Sequence, residues 1–309
     1  MENAIDGILL IDKNEGESSY DVVRKVKSAF NARKGMKTGH AGTLDPFATG
    51  MLVILLGQGT KLSPFIMSER KVYLATVMLG VETDTLDPTG QVIRSSRISD
   101  LSPEVIEEKT RCFVGNIRQS PPIYSAVKYR GTRAYKLARK GIEFDLQTRT
   151  VTIDSLQIIS VDLPEVTFKI KCSSGTYIRS LGADIARELG TCGHVKSLRR
   201  MACGSFDIES ALNSNEIRAE NDSKLRERVL DLRDALPVMQ EIEVESLLAD
   251  KIRQGYQPAL ADLFDSCDMI ECKEGYAKIV ERKSLLAIVA LTGDRAAKSG
   301  KLKIERVFC

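Results

Sequence analysis

GHAGTLDPFATGMLVILLG, residues 39–57, is the stretch from which the fold can be read. From Gly39 to Gly50 it gathers glycine, threonine, aspartate and proline, which favour turns. From Met51 to Leu56 it is uninterruptedly apolar. A polar loop that opens directly onto such a run lies at the lip of a buried core. Neither this run nor any other apolar stretch of the chain approaches the roughly 18 residues that span a bilayer. No basic-then-apolar leader pattern is seen at the N-terminus, so no membrane association is expected and the location expected is cytoplasmic.

Upstream, GILLID (Gly7–Asp12) reads as a short buried strand. After the loop KNEGESS, Ser18 or Ser19 can cap a helix in which Val22, Val23, Val26, Ala29 and Phe30 recur at helical spacing. Downstream, KVYLATVML has apolar residues at both parities, as in a strand covered on both sides, whereas EVTFKIKC alternates Val166, Phe168, Ile170 and Cys172. In SSGTYIRSLGADIARELG, Ile178, Leu181, Ile185 and Leu189 form one helical stripe that Gly190 can stop. Residues 213–233 turn polar and mixed in charge, as a surface helix or a connector. A boundary near residue 235 follows, and beyond it AKIV and LLAIVAL suggest a small all-β module. The fold class is therefore mixed α+β, without fixed-period repeats.

The chain has 309 residues, which at roughly 150 per domain suggests about two domains. Lys plus Arg number 45 against 42 Asp plus Glu, a net charge of only +3, which excludes a histone-like or polybasic chain. The 7 cysteines, an odd number, fit a reducing compartment better than a disulfide framework. Cys267 and Cys272 lack a second pair, and His40 and His194 are the only histidines, so no metal is expected. Gly39, Gly42 and Gly50 match neither phosphate-binding glycine pattern, which gives nucleoside triphosphates no support.

The small net charge conceals local asymmetry. Arg24, Lys25, Lys27, Arg33, Lys34 and Lys37 lie between Asp21 and Asp45 with no intervening acid. A second acid-free interval holds Arg111, Arg118, Lys128, Arg130, Arg133, Lys136, Arg139 and Lys140, interleaved with Tyr124, Tyr129 and Tyr135. Lys196, Arg199 and Arg200 form a third group beside His194. Such runs are often only solvated faces, but basic residues interleaved with tyrosines also suit a polyanion whose bases can stack. The SPPIYS turn reads as the start of an insertion that projects onto a partner.

Asp45 and Glu69 are the only acids between residues 22 and 81. A lone carboxylate in a Gly/Thr loop suits covalent or electrostatic work at a sugar carbon better than a two-carboxylate glycosidase, or else it merely forms an Asx turn before Pro46. Tyr177 and Arg179 lie where a strand passes into a helix. One can pack on a ring and the other can pair with a carboxylate, or they are a core tyrosine and a surface arginine. Tyr73 has strand packing as its alternative, and His40 an ordinary structural role.

The ordered motifs GILLIDKNEGESSYDVV, GHAGTLDPFATGML, KVYLATVMLGVETDTLDPTG, SPPIYSAVKYRGTRAYKLARKG, CSSGTYIRSLGADIARELG and CGHVKSLRR extend over residues 6–205. Together they make the chain resemble the bacterial tRNA pseudouridine-55 synthase family. The resemblance implies a pseudouridine synthase catalytic fold with a mixed, mainly antiparallel sheet over residues 1–235. It implies an RNA-contacting insertion near 120–149 and a PUA-like RNA-binding domain over 236–309. It makes Asp45 the nucleophile, Tyr73 the residue that stacks on the target base and Arg179 the ion-pair partner of Asp45. Tyr177 shapes the pocket and His40 contacts the T loop. Lys13 matches a family lysine counted with the substrate site but expected to be structural, and Asn14 stands where the family usually has proline. Lys128, Arg130 and Arg133 are the expected phosphate contacts of the insertion. The implied partner is the T arm of tRNA; the isomerisation requires no cofactor, no obligate protein partner is expected, and a monomer is expected because no coiled-coil heptad is visible. An RNA-binding protein or tRNA-folding chaperone without catalysis, a glycoside hydrolase, and a synthase of other RNA specificity are the competing readings.

Overall fold

Alternating and continuous apolar runs build the central layer of this protein. In the computed structural model, which describes residues 5–30, 36–142, 144–218, 222–259, 262–263, 275–294 and 299–308, they form a 10-stranded mixed sheet. Its main path runs Leu212–Asn213, Gly7–Lys13, Thr49–Leu56, Gly193–Cys203, Lys71–Leu79, Glu165–Cys172, Arg149–Asp162 and Gly115–Gln119. Most neighbours are antiparallel. The exceptions are Gly7–Lys13 with Leu212–Asn213, and Gly193–Cys203 with Thr49–Leu56. Arg33, Lys34, Cys267 and Cys272 lie outside the described residues.

The strand Lys71–Leu79 is covered less evenly than its sequence suggests. Ala75, Val77 and Leu79 are buried, whereas Val72, Leu74, Thr76 and Met78 are half-buried. Val166, Phe168, Ile170 and Cys172 on the neighbouring strand are buried as the period of two requires. The helix Ile178–Glu188 lays Ile178, Leu181 and Ile185 onto this face, with Leu189 at its C-cap buried alongside. Each such side chain removed from water stabilises the fold by about 1.5–3 kcal/mol. Gly190 follows the C-cap with φ +83°, the left-handed geometry that ends a helix. On the other side, Ser18 and Asp21 form a reciprocal capping box that starts the helix Ser19–Ala29, and Val22, Val23 and Val26 pack beneath it.

Among the described residues of 213–233, the short helix Asp222–Glu227 and the 3-10 turn Glu216–Arg218 stand in what is mostly a connector. A second sheet of four strands follows: Gln240–Glu243, Gly275–Glu281, Ser284–Asp294 and Ser299–Val307. This part is not all-β. The helix Ser246–Arg253 buries Ala249 and Ile252 against the sheet, an amphipathic spacing outweighed in the sequence by the longer apolar runs. Val280, Leu285, Ile288 and Phe308 join Met51, Phe65 and Ile66 in one apolar cluster, so the two sheets share a core contact. Lys61 donates to the Val307 carbonyl at 2.7 Å, and Phe65 meets Tyr276 edge-on at 5.0 Å.

Among the described residues the second basic group stands largely unopposed, Arg111 alone of it pairing with an acid, Glu107, at 3.4 Å. Arg24 pairs with Asp21 and Lys25 with Glu17. Lys196 pairs with Glu165, Arg199 with Asp12 at 2.7 Å, and Arg200 is buried. The expected third patch is therefore not a free basic surface: its acids come from strands distant in sequence. Lys128, Arg130 and Arg133 are exposed on a small hairpin that pairs Lys128–Tyr129 with Thr132–Arg133, and make no ion pair among the described residues.

Candidate active site

Asp45 sits in a loop fixed from several directions. Ser19 Oγ, at the start of its helix, donates to the Leu44 carbonyl at 3.1 Å and accepts from the Leu44 amide at 2.9 Å. Leu44, Phe47 and Ala48 enter the core on either side of Asp45. The Gly16 amide donates to the Pro46 carbonyl at 2.8 Å. Lys13, fully buried, gives its ammonium to the carbonyls of Asn14, Glu17 and Pro46 at 2.9, 2.7 and 3.3 Å. Burial draws the Lys13 ammonium down to about 8 against the pull of Glu17 and Asp45. Its three donors are thus engaged with backbone, an anchoring role. Asn14 adds side-chain hydrogen bonds to Asn213 at 3.1 Å and Ser214 at 2.8 Å, which hold the loop where proline would stiffen it.

Arg200 holds the other end of the loop. Its guanidinium donates to the carbonyls of Gly42 at 3.3 Å and Thr43 at 2.9 Å, and lies 5.8 Å from the centre of the Tyr73 ring. Gly50, paired with Arg200 across the two parallel strands, has φ +102°, and a Cβ there would come within 2.3 Å of the Arg200 carbonyl oxygen. Only glycine lets the loop close so tightly onto the sheet.

Arg179, 5% exposed, enters from the first turn of the helix Ile178–Glu188, and its Nε lies 2.9 Å from Asp45 Oδ2. That contact is an ion pair without an aligned N–H bond. Nη1 donates to the Thr85 carbonyl at 2.7 Å and lies 3.4 Å from Asp87 Oδ2, while Nη2 donates to the Tyr124 carbonyl at 2.9 Å. One buried cation therefore faces two carboxylates. Burial pushes the Asp45 carboxyl above its ordinary value and Asp87 adds to this, while the charges of Arg179 and Lys13 oppose it. The Asp45 side chain remains 36% exposed, which leaves its carboxylate reachable from outside.

Tyr73 packs beside this core, and burial raises its phenol above the ordinary range. Half-buried His40 has Nδ1 buried without a partner, and burial followed by the charge of Arg200 holds the ring below its ordinary value, favouring neutral imidazole. Tyr177 caps the helix that carries Arg179, and Arg149 stacks on its ring at 4.6 Å. Lys128, Arg130 and Arg133 lie on the insertion hairpin, from a segment whose Tyr124 carbonyl reaches Arg179.

Asp45 and Arg179 are thus in direct contact and Tyr73 lines the same core, while Lys13 supports the loop. Sequence reasoning did not assign Asp87 or Gln119 a role, and it placed Ser19 only as a possible helix cap and Arg200 only in a basic run. For Asp87 a signal existed: Thr85-Leu86-Asp87-Pro88 repeats Thr43-Leu44-Asp45-Pro46, and both aspartates meet Arg179. Arg200 lay hidden within a basic run, where nothing local separates a buried arginine from a solvated one.

A model of the TruB family pseudouridylate synthase N-terminal domain matches residues 27–178, and one of the tRNA pseudouridylate synthase B C-terminal domain matches residues 179–237. The tRNA pseudouridine synthase B of Syntrophotalea carbinolica is 37% identical over 306 residues, covering 98% of each chain. That of Syntrophus aciditrophicus is 43% identical over 258 residues, covering 82% of this chain and 80% of its own. Among solved structures, a chain of a Cbf5-Nop10-Gar1 complex superposes with a TM-score of 0.74 at 22% identity, over 98% of this chain and 85% of that one, a likeness of fold.

Proposed function

The chain belongs to the TruB family of pseudouridylate synthases, and from that premise we propose that it isomerises uridine-55 in the T loop of tRNA to pseudouridine, with Asp45 as nucleophile. The observation that carries this reading is the partly accessible Asp45 carboxylate held against the buried Arg179 guanidinium in an anchored loop.

In uridine the base is joined to ribose through N1, and in pseudouridine through C5. The reaction breaks one C–N bond, forms one C–C bond and moves one proton from C5, with N1 protonated in the product, so it balances without a further reactant. The target base must leave the stacked loop, at a cost of a few kcal/mol. Stacking on Tyr73 and contacts from His40 and Tyr177 offset that cost. Ionised Asp45 then attacks C1′ as uracil departs, assists departure through a glycal, or adds at C6. Each route uses the same carboxylate, held by a fixed loop rather than ordered anew at the moment of reaction. Arg179 opposes the effect of burial and favours the anionic form.

Lys128, Arg130 and Arg133 engage tRNA phosphates, and their exposure on a hairpin rooted at Arg179 supports that role. The C-terminal sheet is read as the PUA-like RNA-binding domain, with residues 1–235 as the catalytic domain. Because Asp45, Tyr73 and Arg179 come from one chain, a monomer acting in the cytoplasm without a partner protein is the simplest arrangement. Among the described residues, no helix is long and apolar enough to cross a membrane. The test is to incubate the purified protein with an unmodified tRNA transcript and map pseudouridine by chemical adduct and primer extension. Modification confined to the T-loop uridine is expected; tight binding without any new pseudouridine would instead mark an RNA chaperone.

A further inference from the structure

Gln119 ends the strand Gly115–Gln119 at the point where the chain leaves the sheet for the insertion, and Arg149 begins the strand by which it returns. The two are directly paired across the sheet. Both turn to Tyr177. Gln119 is 1% exposed, and its amide oxygen accepts from the Tyr177 N–H at 2.8 Å while its amide nitrogen donates to the Tyr177 carbonyl at 2.9 Å. Arg149 covers the ring of the same tyrosine at 4.6 Å. Tyr177 is the N-cap of the helix whose second residue is Arg179, yet no side-chain bond caps that helix.

The insertion also touches this helix directly. The Ser120 carbonyl accepts from Ser180 Oγ at 3.0 Å, and the Tyr124 carbonyl accepts from Arg179 Nη2 at 2.9 Å. A buried amide that matches both backbone polar groups of one residue fixes that residue in place and in orientation, much as a paired strand would. Within the helix the Tyr177 carbonyl also accepts from the Leu181 amide, so Gln119 supplies the restraint from outside.

We propose that Gln119 is a positioning residue for the isomerisation: by clamping the Tyr177 backbone at the root of the insertion, it sets the helix start that aims Arg179 at Asp45. The inference rests on the function proposed above. Among the described residues the Gln119 side chain hydrogen-bonds to Tyr177 and to neither Asp45 nor Arg179, so its effect passes through Tyr177 and falls on the chemical step rather than on tRNA affinity.

The test is a cycle of wild type, Gln119→Met, Arg179→Lys and the double variant. Single-turnover pseudouridine formation on an unmodified tRNA transcript is measured beside the tRNA Kd and the thermal melt. Displacement of a reacting group by about 1 Å can cost a hundredfold in rate. Gln119→Met is therefore expected to slow the chemical step by about tenfold to a hundredfold with Kd changed less than about threefold. Added to Arg179→Lys, it should slow the step by less than about threefold, because the two act on one contact. Gln119→Glu retains the acceptor for the Tyr177 N–H and should recover part of the rate. If the methionine variant does not fold, Gln119→Glu, which loses the bond to the Tyr177 carbonyl, should still be slower than wild type by more than about threefold. A near wild-type rate for these variants, or losses that multiply in the double variant, would overturn the positioning role. If the wild type itself forms no pseudouridine, the proposed function fails and this role with it; a fast Gln119→Met beside an active wild type overturns this role alone.

Discussion

Arg179 Nε lies 2.9 Å from Asp45 Oδ2 while Nη1 of the same guanidinium lies 3.4 Å from Asp87 Oδ2, so the proposed nucleophile shares the buried cation it touches with a second aspartate. Asp87 is itself fixed, accepting from Thr85 Oγ1 at 2.7 Å and from the Thr89 amide at 2.9 Å. The arrangement holds Arg179 in place without giving all of its charge to Asp45.

The first consequence concerns pH. Activity requires ionised Asp45, and burial has moved its carboxyl upward from 3.8. The acid limb of the single-turnover rate should therefore lie above the range of an unperturbed aspartate, and Arg179→Met should move it higher still by removing the opposing charge. A pH–rate profile of both proteins on the same tRNA checks the direction. Stability shifts with the opposite sign. A carboxyl raised in the folded state binds its proton more tightly there than in the unfolded chain, so stability falls as pH rises from the unfolded value through the folded one. Asp45→Asn, which never ionises, should melt at or above the wild-type temperature at pH 7, and the difference should close as the pH falls below the unfolded value. Paired thermal melts across that range measure it.

Gly50 is the second place where the site is structurally constrained. Gly50→Ala forces a left-handed φ on a residue with a Cβ and drives that atom into the Arg200 backbone. The cost should be roughly 2–4 kcal/mol of unfolding free energy, read by denaturant titration.

A further prediction concerns the second sheet. Lys278, 2% exposed, is held by Glu241 at 2.7 Å and by the Arg233 carbonyl at 2.8 Å. Hydrogen bonds from Arg233 are the largest influence on Glu241, and with the Lys278 pair they outweigh burial and draw its carboxyl down to about 2. The stabilisation is full above about 4.5 and is lost as the pH falls through about 2. Glu241→Gln leaves the Lys278 charge buried without its counter-ion and should cost about 1–3 kcal/mol at neutral pH, with the difference narrowing in acid. Denaturant titrations of both proteins at neutral and acid pH measure it.

Removing the insertion charges should separate affinity from chemistry. Replacing Lys128, Arg130 and Arg133 with alanine is expected to weaken tRNA binding and to flatten its salt dependence by about 0.7–0.9 in log–log slope for each phosphate the variant no longer neutralises. The single-turnover rate at saturating tRNA should change little. Filter binding at several salt concentrations provides the check.

Much of this molecule was legible in the sequence because local signals agreed with the tertiary outcome. The alternation through Val166, Phe168 and Ile170, the stripe Ile178–Leu181–Ile185 and the Ser18 cap each became the element their spacing implied. Long-range pairing was less readable. Arg199 is opposed by Asp12 and Lys196 by Glu165, so a run that looks like a basic patch is partly neutralised by other strands. Arg200 is a buried loop anchor whose partners are backbone carbonyls, which carry no sequence signature. The helix Ser246–Arg253 was missed because its buried Ala249 and Ile252 are few beside the apolar strands that follow.

The role of Asp45 is tested most directly by single-turnover pseudouridine formation with Asp45→Asn, with tRNA affinity determined on the same preparation. Because the substitution keeps shape and hydrogen-bonding capacity but removes the anionic nucleophile, tRNA should bind within a few-fold of the wild type while no pseudouridine forms at position 55. Turnover at a near wild-type rate would contradict the assignment of Asp45.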